Sequence, residues 1–257
     1  EVPLFFPMED KWVLVITPPG PVEYYVGEFD LESTRFIPEK SGIIDYSGNF
    51  FAPNVLKDAR GRRVMWGWIR GFKPDRGWNG CLTVPRVLSL DDSRRLTIDP
   101  LPELANIRMD EPHVEQISLS HEAKTIGNLR GDHLEIIAEF EPGDAQVYGL
   151  RLRSSTNGEY ILVRYNGTTL DVDGRTAPLG LGEGENLRLH IFLDGAALEV
   201  YANDRVAISA VIYPDVEHQA VEAFAEQGST ELDLRAWKMK TIFKDDYPSV
   251  SWIVTEK

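Results

Sequence analysis

The chain has 257 residues, 42% of them hydrophobic and 10% aromatic, with a formal net charge of −14 at pH 7. That composition suits a folded globular protein of one large or two medium domains, not a disordered or fibrous chain. The acidic balance argues against a nucleic-acid partner, no apolar run reaches the roughly 18–20 residues of a membrane-spanning helix, and the lone Cys81 excludes an internal disulfide.

The charge is unevenly spread. Residues 1–110 carry 16 acidic and 14 basic side chains, leaving 25 and 13 for the remainder, so two regions with different surfaces are expected.

The chain opens on Glu1-Val2-Pro3-Leu4-Phe5-Phe6, with no Met and no polar lead-in. The proline favours an extended backbone ahead of it, and an apolar strand follows. A carboxyl partly buried there would have its pKa raised, as a general acid requires. Short β-branched and aromatic runs come next: KWVLVIT, VEYYVGEFD, RRVMWGWI, CLTVPRVLSL and RRLTIDP, separated by Gly, Pro, Asn and Asp. Their close spacing predicts a propeller, barrel or sandwich.

The first break in this pattern is Leu101 to Arg108, with Pro100 and Pro102 at its start, which predicts one or two helical turns. The charged, proline-containing stretch that follows reads as a connector between domains. Beyond it eight longer alternating runs, from HLEIIAEFE to ELDLRAWKMK, predict a two-sheet, jelly-roll-like sandwich. Asn166-Gly167 and Asp194-Gly195 supply hairpin turns within it. The tail from Lys244 is too short to assign.

Aromatic residues crowd the first region. Trp66 and Trp68 point the same way from one strand, Gly67 leaves the opposite face bare, and Phe50, Phe51, Phe72 and Trp78 lie nearby in sequence. Packing is the plain explanation for any one of them. Together with carboxylates they would also suit a sugar ring, which has apolar faces and hydroxyl edges. Glu1, Asp30 and Asp45 are the candidate carboxylates, each more simply a turn residue, with Glu1 set apart by its local context. The five histidines show no ligand-like spacing, so no metal is expected. No serine sits in a nucleophile elbow, and no glycine-rich phosphate loop is present.

The order of motifs resembles glycoside hydrolase family 32, the invertases and fructan hydrolases. Glu1-Val2-Pro3 is similar to the family's Glu-Cys-Pro, with Val2 in place of Cys. Tyr24-Tyr25-Val26-Gly27 with Asp30, the stretch from Asp45 to Ala52, RRVMWGW with GWNGCLTVPRVLSL, and LRLHIFLDGAALEVYANDRVAISAVIYP resemble further family segments in order. The resemblance implies an all-β fold: part of a five-bladed β-propeller over residues 1–108, then a C-terminal β-sandwich over 109–257. It implies retaining hydrolysis of terminal β-D-fructofuranosides (sucrose, inulin or levan), with Glu1 as general acid/base and no metal or organic cofactor. Asp45, Phe51, Trp66, Trp68 and Phe72 become the candidate substrate-binding residues. Phe51 stands where many members carry Tyr, and Phe72 where bacterial relatives often carry Trp, so each keeps an aromatic face and loses a polar handle.

Two family motifs are missing: the Trp-Met-Asn-Asp-Pro-Asn-Gly stretch that holds the nucleophile, and the Arg-Asp-Pro that holds the transition-state-stabilising Asp. Asp99-Pro100 follows Ile98 and lies far downstream, so it does not replace the latter. The expectation is that an N-terminal propeller segment outside this sequence bears the nucleophile, and that the chain alone is inactive. The alternative reading is a non-catalytic carbohydrate-binding or interaction module built on the sandwich. Tyr160, Tyr165 and Tyr201 are then the aromatics to find on its face.

Overall fold

The computed structural model describes residues 1–74 and 78–242, so the tail from Lys244 lies outside the described residues. The strands appear where the alternation of apolar residues dictates. In β2 (Lys11–Ile16), next to β1 (Leu4–Met8), Val13 and Val15 are fully buried while Trp12, Leu14 and Ile16 face the other way. With β3 (Glu23–Asp30) and β4 (Arg35–Ile43) they form a four-stranded antiparallel meander.

A second antiparallel sheet follows: β5 (Phe50–Lys57), β6 (Arg63–Arg70), β8 (Arg86–Leu90) and β9 (Leu96–Pro100), with the short β7 (Gly80–Leu82) paired to β6 off this path. Phe6, Val13, Val15 and Tyr24 of the first sheet share one core with Phe50, Met65, Leu88 and Ile98 of the second. Two such meanders packed face to face are blades of a β-propeller. The expected helical turns are a single 3-10 helix, Pro102–Ile107, with Pro at its first position.

The expected connector is not a connector. Residues Arg108–Ser120 form β10, thirteen residues long, and pair with β21 (Ser229–Met239) along most of their length. A register shift between Met109 and His113, with Asp110 at φ +55°, takes Pro112 out of the ladder and so lets a proline sit in the strand.

Among the described residues the sandwich has twelve strands instead of the eight the sequence suggests. Besides β10 and β21 they are β11 (Lys124–Arg130), β12 (His133–Phe140), β13 (Val147–Ser154), β14 (Ile161–Tyr165), β15 (Thr169–Val172), β16 (Arg175–Pro178), β17 (Leu187–Asp194), β18 (Ala197–Ala202), β19 (Val206–Val211) and β20 (Ala220–Glu226). One six-stranded sheet runs β10-β21-β12-β17-β18-β19 and the other β11-β20-β13-β14-β15-β16. Between them lies a continuous apolar core that includes Leu134, Ile136, Phe140, Leu150, Leu189, Ile191 and Val221.

Both expected hairpin turns are present, with Gly167 and Gly195 at positive φ, and Gly195-Ala196 are the two residues between paired Asp194 and Ala197. A third, Asp173-Gly174, joins β15 to β16 with both residues at positive φ, as a type I′ turn demands.

The end of the first sandwich sheet is covered on both sides. In β18, Leu198 and Val200 face the sandwich core, while Glu199 and Tyr201 face the second propeller sheet and are buried there. Among the described residues no helix is long and apolar enough to cross a membrane.

Candidate active site

Glu1 lies at the start of the first sheet, held by its backbone. Its amino group donates to the Thr17 carbonyl at 2.8 Å, and its carbonyl accepts from the Thr17 N–H at 3.1 Å. Two expectations fail here. The side chain is exposed instead of partly buried, and Val2 is left-handed at φ +47° instead of extended. A β-branched residue in that region is strained by about 1–3 kcal/mol, a cost usually met where a site needs a particular backbone direction. Among the described residues nothing hydrogen-bonds to or pairs with the Glu1 carboxylate.

At the same end of this sheet the sequence reading missed a second carboxylate. Glu23 pairs across from Ile16, next to Thr17, and accepts from the Tyr25 hydroxyl at 2.6 Å. Glu23, Tyr25, Ser41, Gly42 and Ile43 line a cavity of about 270 Å³. The signal was the alternation itself, which sets Glu23 and Tyr25 on the face away from the core residues Tyr24 and Val26. A larger cleft of about 350 Å³, walled by Pro7, Lys57, Arg62, Arg63 and Leu88, lies at the opposite end of β1 and holds none of the expected site residues.

The aromatic wall forms on the second sheet. Phe51 and Trp68 are cross-strand partners with ring centroids 6.2 Å apart, and the Arg70 guanidinium lies 4.5 Å from the centre of the Phe51 ring. Trp66 shares this face and, like Trp68, is half-buried. Phe72 packs on Trp78 at 4.8 Å beyond the end of the strand, and Trp78 is 49% exposed.

Gly67 does not leave a bare face. The Phe50 ring occupies it, so a Cβ on Gly67 would come within 2.0 Å of that ring. Gly80 plays the same part on the outer side, where a Cβ would meet Trp68 Nε1 at 1.8 Å. The wall is therefore seated against two glycines, one on its own strand and one on β7.

Asp45 is not part of this surface. Its side chain is sealed from solvent and bonds Arg86 Nη2 at 3.0 Å, the Ser209 hydroxyl at 2.6 Å, and the Ser209 and Ser47 amides at 3.1 and 3.0 Å. Arg86, also fully buried, bonds Glu199 at 2.9 Å and Ser209 at 2.6 Å. Glu199 in turn accepts from the Tyr201 hydroxyl at 2.6 Å and the Val84 amide at 2.7 Å. Burial pushes the Glu199 carboxyl above its ordinary range against the pull of Arg86. For Arg86 burial works against the charge, and Tyr201, Asp45 and Glu199 more than reverse it, so the guanidinium stays protonated. One buried cation thus serves two acidic side chains at the junction with the sandwich.

Asp30 ends β3, the strand that Glu23 begins, and the Ser33 hydroxyl and the Glu32 and Ser33 amides satisfy it. Seven residues of strand put it about 23 Å from the Glu1 end of the sheet. The sandwich tyrosines make no platform: Tyr165 and Tyr201 are buried, and the half-exposed Tyr160 lies under Arg151. One metal-type grouping occurs among the described residues, Glu159, Asp215 and His218, with ligand atoms within 4.8 Å of one another. The first two are exposed and nothing else at that place points to an ion.

Comparison with known proteins covers nearly the whole chain. The model of the glycosyl hydrolases family 32 N-terminal domain matches residues 1–100, and that of the family 32 C-terminal region matches residues 103–238. A levanase of Bacillus sp. (strain L7) is 30% identical over 92% of this chain and 30% of its own length. A sucrose-6-phosphate hydrolase of Zymomonas mobilis is 28% identical over 93% of this chain and 53% of its own. Among solved structures, the exo-inulinase of Aspergillus awamori superposes with a TM-score of 0.82 at 22% identity, over 95% of this chain and 57% of that one. A fructan 1-exohydrolase IIa of Cichorium intybus in complex with 1-kestose gives 0.77 at 18% identity, over 90% and 57%. The chain spans between about a third and about half the length of these curated relatives.

Proposed function

The chain belongs to glycosyl hydrolase family 32, and from that premise we propose that it acts in the retaining hydrolysis of terminal β-D-fructofuranosides such as sucrose, inulin or levan. The observation that carries this reading is the exposed Glu1 carboxylate, free of any partner among the described residues and set on a strained backbone. As general acid it would protonate the leaving glycosidic oxygen, and as general base it would then activate the water that releases fructose. Phe51, Trp66 and Trp68 would take the apolar face of the sugar.

The retaining mechanism needs a second carboxylate about 5–5.5 Å from the first, to form the fructosyl-enzyme. Asp45 is sealed by Arg86 and Ser209, Asp30 sits at the far end of its strand, and Glu23, at the Glu1 end, is already engaged by the Tyr25 hydroxyl at 2.6 Å. This reading therefore assigns the nucleophile to polypeptide outside these 257 residues. The outward face of the first sheet is the surface such a segment would cover: Phe5, Trp12, Phe29 and Phe36 form one aromatic cluster there.

The test is fructose release from sucrose and inulin by this chain alone, then with the N-terminal half of a relative added in trans. The expected result is no release alone and release on mixing, reduced about 10²- to 10⁴-fold by Glu1→Gln. Release by the single chain would overturn the assignment of the nucleophile to another segment, and release that survives Glu1→Gln would overturn the whole reading. Sugar binding with no release in any combination would favour a binding module, for which the half-exposed Phe51–Trp68 pair is the supporting observation.

A further inference from the structure

The Trp66-Gly67-Trp68 segment sits where the second sheet is interrupted on both sides. Toward β5 the register jumps between Phe51 and Asn54, and Ala52 within the jump is left-handed at φ +46°. On the other side β7 ends at Leu82 and β8 begins at Arg86. Gly67 therefore has no ladder partner in β5, β7 or β8.

A buried peptide group without partners is costly, and here one residue supplies both. Thr83 Oγ1 accepts from the Gly67 N–H at 3.1 Å, and the Thr83 N–H donates to the Gly67 carbonyl at 2.9 Å. Thr83 is 4% exposed and so stands behind the wall, out of reach of a ligand. The next amide, Val84 N–H, donates to Glu199 of the sandwich at 2.7 Å. Arg86, bonded to the same Glu199, lies 4.6 Å from the centre of the Phe50 ring that backs Gly67. An unbroken chain of contacts thus runs from the sandwich to the two tryptophans.

We propose that Thr83 is a positioning residue for the sugar-binding wall, fixing the register of Trp66 and Trp68 through Gly67, and that Glu199 holds Thr83-Val84 in place from the sandwich. The break on both sides of Gly67 re-aims the tryptophans, as bulges beside functional sites commonly do, and Thr83 replaces the lost ladder bonds. The sandwich thereby becomes part of the binding surface without touching the ligand. The ligand half of this proposal rests on the fructoside reading above; the positioning half does not.

The test is amide exchange together with inulin titration on the full chain. Thr83→Val, which removes the Oγ1 acceptor, is expected to speed exchange at the Gly67 amide about 3- to 10-fold, the worth of one hydrogen bond. Inulin binding is expected to weaken by a similar factor while the β12 and β17 amides stay unchanged. Thr83→Ser keeps the oxygen and is expected to match wild type in both. Glu199→Ala, which removes the acceptor of the Val84 N–H, should speed exchange at Val84.

Unchanged exchange at Gly67 in Thr83→Val overturns the proposal, whatever the sugar does. A wild-type chain that binds neither inulin nor sucrose even with the N-terminal half of a relative added, while Gly67 still responds to Thr83→Val, overturns the fructoside reading and supports the positioning role. Should Thr83→Val not fold, Glu199→Ala carries the test, and unchanged exchange at both Val84 and Gly67 overturns the proposal.

Discussion

The first propeller sheet turns an apolar surface to solvent, whereas the interface between the second sheet and the sandwich sets a buried polar cluster among the apolar contacts of Phe192, Tyr201 and Ala207. On the first sheet Trp12, Leu14 and Ile16 alternate with the core residues Val13 and Val15, so both faces are apolar, and Phe5 is 40% exposed beside Trp12, Phe29 and Phe36. At the interface the central contacts are Asp45, Arg86, Glu199 and Ser209, each less than 5% exposed. Burial in this chain therefore does not follow local hydrophobicity. Apolar contact is tolerant of sliding, while a guanidinium shared by two carboxylates fits one arrangement only, so the polar junction is where the relative orientation of sheet and sandwich is set.

The largest effect should come from removing the shared cation. Arg86→Ala leaves Asp45 and Glu199 buried without a positive partner and is expected to cost about 3–5 kcal/mol in urea unfolding. Replacing the whole set, Arg86→Met with Asp45→Asn and Glu199→Gln, should recover much of that loss, because no buried charge remains. A single Arg86→Ala that unfolds at the wild-type midpoint would show that the polar contacts do not hold the junction.

The two buried carboxylates of the sandwich sharpen the comparison through pH. Glu199 faces one cation that it shares with Asp45, and burial raises its folded pKa. Its contribution to stability is therefore present below the unfolded pKa and lost as pH rises through the folded value. Glu135 is buried too, but Arg108 at 2.6 Å and His190 at 2.8 Å outweigh burial and hold it below its ordinary range. Its contribution is present above the unfolded pKa and lost as pH falls. Stability measured across the acid-to-neutral range should thus gain at the neutral end in Glu199→Gln and fall at that end in Glu135→Gln. The same sign in both variants would contradict the assignment.

How much of this was legible depends on the distance over which a residue acts. Runs such as Lys11–Ile16 and Arg63–Arg70 declared themselves because alternation is local, and so did the helical turn after Pro100. The first sandwich strand was hidden because Pro112 and its charged neighbours look like a linker, and only pairing with β21 accommodates them through a bulge. The short strands β15 and β16 were hidden although Asp173-Gly174 is a strong turn signal, since four residues carry little pattern. Asp45 reads as a pocket residue because it stands among apolar neighbours and opens the stretch to Ala52 that resembles a family segment. Its true partners, Arg86 and Ser209, are 41 and 164 residues away, and Glu199 in β18 reads as a solvent-facing strand residue until a second sheet packs on it. Glu1 is located from motif order, while the left-handed backbone at Val2 has no sequence signal.

The smallest effect on stability should come from the open apolar face, and that is what makes it informative. Phe5 keeps 40% of its surface in water, so Phe5→Ser gives up contacts with Trp12, Phe29 and Phe36 and only part of a full burial, and about 1–2 kcal/mol is expected in urea unfolding. Association should change far more. A contiguous aromatic patch on a sheet is a docking or aggregation surface, and adding a polar group at its centre should lower the light-scattering mass of the wild-type chain at a given concentration toward that of one copy. If the face instead serves only to pack the cluster internally, Phe5→Ser would lose several kcal/mol and leave association unchanged. That outcome would erase the contrast with the Arg86 junction, because both regions would then be structural interiors. Retained stability with reduced association would mark the first sheet as a surface shaped for a partner and the junction as a contact complete in itself.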